Sequence, residues 1–182
     1  MLTLARLGVV IALAAARCGH AALPPVPVPA ENPITEQKRV LGKMLFWDEQ
    51  LSADDSVACG TCHRPAHGGA DPRAGRYPGT DKGTIDDVRG SPGIVGLDRA
   101  GRRVAHPLFG TEPQVTARVA PSNFGALWAD ELFWDGRAGP VLHDPVTGAV
   151  AIARGGALEN AALTALSNAV EMAEPERSWD EL

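Results

Sequence analysis

Cysteine is scarce, with three in 182 residues, at positions 18, 59 and 62. A four-thiol zinc site needs a second cysteine pair, and the chain has none. Aromatics make up only 5% of the residues, with one tyrosine and four phenylalanines, whereas glycine (20) and proline (15) are plentiful. That balance excludes a sheet protein and points to much loop supported by limited helix. Basic residues are outnumbered, 17 against 22 acidic, for a net charge of −5 and a pI of about 5.5. Nucleic acid and anionic membrane surfaces are therefore poor partners. No apolar run reaches the length of a membrane-spanning helix, and no internal repeat or long charge run is present.

Against this sparse background stands Cys59-Gly60-Thr61-Cys62-His63. C-x-x-C-H is the attachment motif of a c-type haem. The two thiols add across the haem vinyl groups as thioethers, and the adjacent histidine is held beneath the iron as proximal ligand. A redox dithiol would not need the histidine. The spacing therefore assigns Cys59 and Cys62 to covalent haem c and His63 to the iron. The second ring nitrogen of His63 is expected to donate to a backbone or carboxylate acceptor.

The chain start is consistent with haem attachment outside the cytoplasm. Arg6 precedes the apolar run Leu7–Ala16, and Gly19-His20-Ala21 offers small residues where a signal peptidase reads. The expectation is a secretory signal over 1–21, with Cys18 leaving with it, and a periplasmic protein; an uncleaved anchor is the alternative. Cleavage leaves about 160 residues, enough for one domain with a proper core. Leu23–Pro29 reads as an extended, polyproline-like part of a leader over 22–33, and residues 34–182 as the haem domain.

Thr35 can cap a helix over 36–47, with Val40, Leu41, Met44, Leu45 and Trp47 on one apolar face. Met44 is expected to face the core. From Arg64 to Phe124 no period persists, and residues 71–87 read equally as disorder or as a loop at the haem edge. Ala149–Ala153 reads as a short extended piece, and Ala157–Met172 largely as helix. Ser178-x-x-Glu181 is a capping box, which leads us to expect a helix beyond it and hence a longer natural chain.

Several separated blocks taken together resemble the bacterial di-haem cytochrome c peroxidases and their MauG-type relatives. They are Leu41–Asp48 with Leu51-Ser52, Val57–Gly68, Ala120–Asn123, Leu132-Phe133-Trp134-Asp135-Gly136-Arg137-Ala138, Gly155–Glu159 and Ser167–Met172. The resemblance implies a mainly α, cytochrome c-like haem domain with long irregular loops. It covers only the N-terminal, peroxide-reacting half, since a second C-x-x-C-H is absent. It further implies hydrogen peroxide as substrate and a small periplasmic cytochrome c or cupredoxin as electron donor. Glu171 matches the acid–base residue of the family, and Trp134 the tryptophan that mediates electron transfer between its two haems. Plain core packing is the alternative for Trp134, and an ordinary solvated helix carboxylate for Glu171. Arg137 suits a haem propionate or a carboxylate. His106 is the distal-ligand candidate, against a surface histidine or a distal site holding only water. His67 is expected to face solvent, and His143 receives no role.

The chain also departs from the family pattern. Ala161, Thr164 and Ala165 stand where the family often carries Gln and Gly-Pro. Val119 replaces an Asn linked to an interdomain calcium, which makes calcium doubtful here. Two other functions remain open at this level: a mono-haem electron-transfer cytochrome, and a MauG-like oxidase of protein side chains. The oligomeric state is open too, a homodimer included.

Overall fold

Thr35 takes an extended backbone, and its hydroxyl accepts a hydrogen bond from the Lys38 amide at 3.2 Å, which starts helix α1 (Glu36–Phe46). The computed structural model describes residues 22–73, 75–79 and 83–181. The proposed signal, 1–21, lies outside them. The helix ends at Trp47, whose indole lies directly on Gly60 of the attachment motif. No residue of α1 is buried, and the apolar stripe is open: Met44 is 65% exposed. The expectation that Met44 faces the core is thus corrected. The stripe has the right helical period, but no other described element covers it.

Helix α2 (Cys59–Cys62) is a single turn that begins where the Thr61 hydroxyl accepts from the Ala58 amide at 2.9 Å. The stretch that the sequence leaves undecided holds a hairpin. Strand β1 (Gly75–Tyr77) pairs antiparallel with β2 (Val88–Gly90), with Gly75 opposite Gly90 and Tyr77 opposite Val88. A second small antiparallel pair joins β3 (Leu142–His143) to β4 (Val150–Ile152), the short extended piece expected there. Helix α3 (Ala157–Leu166) follows.

Two expectations need correction. Helix α3 stops at Leu166 rather than running to Met172. Asn168 ends it: its side-chain Oδ1 accepts from the Val170 and Glu171 amides at 2.9 and 3.3 Å, which offers the backbone a non-helical alternative. The second correction concerns fold class. With helices of 11, 4 and 10 residues among the described residues, "mainly α" overstates the helix, while the long irregular loops are present. Glycine and proline supply the reason, since both interrupt helix interiors.

Side chains and main-chain staples hold these loops together. Val57, Ile94, Leu97 and Met172 form the buried cluster, with Cys62, Leu51 and Leu166 packed against it. The 168–173 turn is stapled to the rest by Ala53 N to Met172 O (2.8 Å), Ile94 N to Val170 O (3.2 Å) and Gln114 Nε2 to Ala169 O (2.9 Å). Buried Ser52 donates to Glu49 O and accepts from the Ser56 and Val57 amides, which sets the approach to α2. The leader packs through Trp128 Nε1, which donates to Pro24 O at 3.2 Å, and through Asn32, which donates to Glu159 at 2.8 Å.

Gly93 sits where the 168–173 turn crosses the core, and a Cβ there would collide with the Val170 carbonyl and the Glu171 Cα. Backbone cannot swing aside as a side chain can. Gly93→Ala should therefore cost about 2 kcal/mol or more, seen as a lower midpoint in chemical denaturation. Gly60→Ala, whose nearest obstacle is the half-exposed Trp47 side chain rather than backbone, should cost less; equal losses would show the turn to be pliant.

Candidate active site

His63 is the C-terminal cap of α2, one residue beyond the second thiol. Its Nδ1 lies 3.0 Å from Gly69 O and 3.1 Å from Pro121 O. Both neighbours are acceptors, so Nδ1 carries the proton and Nε2 keeps its lone pair. This is the arrangement a metal-bound imidazole uses, with the far nitrogen fixing ring plane and tautomer. Gly69 can deliver its carbonyl because it adopts φ +77° and because a Cβ there would strike the Asn123 side chain. Cys59 and Cys62 are free thiols, half-buried, one helical turn apart. Before any attachment, burial pushes the Cys62 thiol up to about 11, with Arg73 pulling it down and Asp71 and Glu171 pushing it further. Among the described residues no group of three or more His, Cys, Asp and Glu gathers to hold a bare metal ion. Two unpaired thiols beside an imidazole with a free Nε2 fit covalent haem.

Glu171 lies on the 168–173 turn. Burial pushes its carboxyl above the ordinary carboxylate range, and the charge of Arg137 opposes this. Its Oε1 accepts from Asn168 Nδ2 at 3.1 Å. Because its charge acts on both Cys62 and Arg137, the attachment motif and the Leu132–Ala138 block share one neighbourhood. That block is a tight loop closed by Leu132 N to Ala138 O (3.0 Å), with Phe133 at φ 67° and Gly136 at φ 69° turning it. Arg137 lies 3.8 Å over the Phe133 ring and donates to the Asp135 carboxylate at 2.9 Å, so its partner is a carboxylate of its own loop. Trp134 is 71% exposed, with the Arg118 guanidinium 4.4 Å over its indole. It is a surface ring under a cation, not a packed core residue.

The other histidines lie apart. His106 sits in a turn closed by reciprocal bonds with Gly110 at 2.7 and 2.8 Å; its Nδ1 accepts from the Leu108 amide at 3.1 Å, and its ring stacks on Phe109. His67 is exposed, and His143 is exposed with Nδ1 3.1 Å from Gly148 O. Sequence reasoning missed Asp71, Arg73 and Gln114. Each lies in the stretch without period, where nothing local separates a buried polar residue from a solvated one.

A model of the family described as di-haem cytochrome c peroxidase matches residues 36–182. The chain belongs to the di-haem cytochrome c peroxidase family. It is 58% identical over 60 residues to the cytochrome-c peroxidase IdrP1 of Denitromonas iodatirespirans, a stretch covering 32% of this chain and 16% of that protein. It is 29% identical over 163 residues to the cytochrome c peroxidase Ccp of Escherichia coli strain K12, covering 90% of this chain and 24% of the relative. To the methylamine utilization protein MauG of Methylophilus methylotrophus it is 33% identical over 113 residues, 62% of this chain and 24% of the relative. The chain thus spans about a quarter or less of the length of these curated relatives. Among the described residues of this family member, no helix is long and apolar enough to cross a membrane.

Burial of Glu171 has a consequence for stability. Its folded carboxyl titrates above its ordinary value near 4.5, so its contribution is complete below that value and is lost as pH rises through the folded value. Relative to Glu171→Gln, the wild-type holoprotein should lose stability as pH climbs above about 4.5, measured by urea denaturation at a series of pH values. Parallel stability curves would show the carboxylate to be solvated.

Proposed function

We propose that this chain is the peroxide-reacting haem half of a periplasmic cytochrome c peroxidase with a cytochrome c-like domain, reducing hydrogen peroxide with electrons from a small cytochrome c or cupredoxin. The observation that carries the reading is the combination of His63, its Nδ1 pinned by two carbonyls, with a half-buried Glu171 that acts on the same motif. Covalent haem, held by Cys59, Cys62 and His63 Nε2, would supply the iron that receives peroxide and the electrons that reduce it.

The chain's own residues then have distinct tasks. The Gly69 and Pro121 carbonyls keep the His63 proton on Nδ1 and increase the basicity of Nε2 toward the metal. Reduction of peroxide to two waters consumes two electrons and two protons, and the departing oxygen must be protonated as the O–O bond breaks. Glu171, whose proton affinity is raised by burial, is the group that would carry a proton at Oε to the departing oxygen. Asn168 Nδ2 orients that carboxyl. The charge of Arg137 opposes the upward shift of Glu171. Trp134, exposed on the Leu132–Ala138 block, offers a π-system at the surface for electron entry. At the distal side, the ring of His106 is engaged by its own turn, which supports a distal site holding only water.

The test is stopped-flow reaction of the reduced holoprotein with hydrogen peroxide. Glu171→Gln should slow the reaction by roughly 100-fold or more while the haem spectrum is retained; an unchanged rate would remove Glu171 from proton transfer. A low-spin spectrum inert to peroxide would instead indicate a mono-haem electron carrier. His106→Ala should leave the spin state unaltered, and conversion from low to high spin would assign His106 to the iron.

A further inference from the structure

One charged pair beside the attachment motif has no task in the mechanism above. Asp71 has a side chain with no exposed surface, and Arg73, 26% exposed, forms a forked pair with it at 2.8 to 3.2 Å. The same guanidinium reaches further. Arg73 Nη2 donates to Pro92 O at 2.7 Å and to the sulfur of Cys62 at 2.9 Å. The cation therefore lies between the buried carboxylate and the thiol that binds haem. A sulfur accepts such a bond as thiol or thioether, though weakly.

A mere surface ion pair would contribute little and would need no such setting. Here burial pushes the Asp71 carboxyl up, and hydrogen bonds from Arg73 and Ser91 with the Arg73 charge more than offset it, holding the group below the ordinary carboxylate range. Both charges are thus permanent at neutral pH. The chain segment is shared as well: Gly69, two residues before Asp71, supplies a carbonyl to His63. Residues 69–73 hold the histidine end of the motif through one carbonyl and the sulfur end through one cation.

We propose that Arg73, locked by Asp71, is a positioning residue that holds the Cys62 sulfur and places a fixed positive charge at the thioether edge of the haem, raising its reduction potential. The proposal rests on the haem reading. The physical argument is one of distance and sign. Reduction of the iron removes one positive charge from the site, so a nearby cation favours the reduced form and a nearby anion opposes it. The guanidinium touches the sulfur, while the carboxylate stands behind it, so the cation dominates and the anion moderates it.

The experiment is a spectroelectrochemical titration of the haem midpoint potential in the holoprotein. Asp71→Asn keeps the shape and leaves the cation unmoderated, so the potential should move to more positive values. The double variant Arg73→Gln with Asp71→Asn removes both charges without stranding a buried carboxylate, and its potential should fall below that of the wild type. Arg73→Lys, which keeps the charge, should stay near the wild type. Opposite shifts for the single and double variants are the signature, because a purely structural pair would lower stability without moving the potential in opposite directions. Equal potentials in wild type, Asp71→Asn and the double variant would overturn the proposal. If the double variant yields no holoprotein, a negative or absent shift in Asp71→Asn overturns it equally. Wild-type chain isolated without covalent haem would sink the haem reading itself, a result separate from any shift in potential.

Discussion

The hydrogen bonds at His63 Nδ1 constrain most of what surrounds the site. One acceptor is six residues away and the other fifty-eight. Satisfying both requires the loop after the motif to fold back at once and the Ala120–Asn123 segment to come down beside it. Asp71 N to Ala120 O, at the long limit of 3.5 Å, and Ser122 Oγ to Gly68 O at 2.5 Å bind the same two segments together. A free imidazole could sit in either tautomer; this one cannot. The orientation of a single ring thus depends on the packing of two loops that have almost no regular structure.

Loops can provide that orientation because the protein replaces secondary structure with staples. Polar side chains do the work that ladders perform in a sheet: Ser52 and Asn168 satisfy main-chain amides within their own turns, and Gln114 ties together the Val95 and Ala169 carbonyls of two remote segments. Buried polar groups of this kind must be paired, since a stranded one costs more than a made bond gains. The apolar cluster of Val57, Ile94, Leu97 and Met172 is small, and Cys62 packs against it. The site and the core are therefore one region, and the chemistry of the motif is coupled to the stability of the domain.

Electrostatics around the motif follow from the same geometry. Glu171 is carried into low dielectric by the turn that Asn168 creates, and burial raises its proton affinity. Asp71 has a side chain with no exposed surface, yet it is paired with Arg73 and stays ionised. Two carboxylates near one sulfur are driven in opposite directions by the presence or absence of a guanidinium fork. That divergence separates a group able to exchange protons from one that holds a constant charge.

The attachment motif was legible in the sequence because its chemistry is local: two thiols one helical turn apart and a histidine beside them need no distant residue to be recognised. Helix α1 was legible for a like reason, since Thr35 as cap and a 3.6-residue period are written within a dozen positions. The helical period of Ala157–Leu166 was visible as well, but the Asn168 turn that stops it was not, because a side chain competing for main-chain amides has no periodic signature. Tertiary structure alone decided the rest. It turned the aperiodic 64–124 stretch into a hairpin and a clamp and brought Glu171 into the electrostatic neighbourhood of Cys62. These outcomes depend on contacts between residues tens of positions apart, and a linear pattern carries the identity of such partners without their distance.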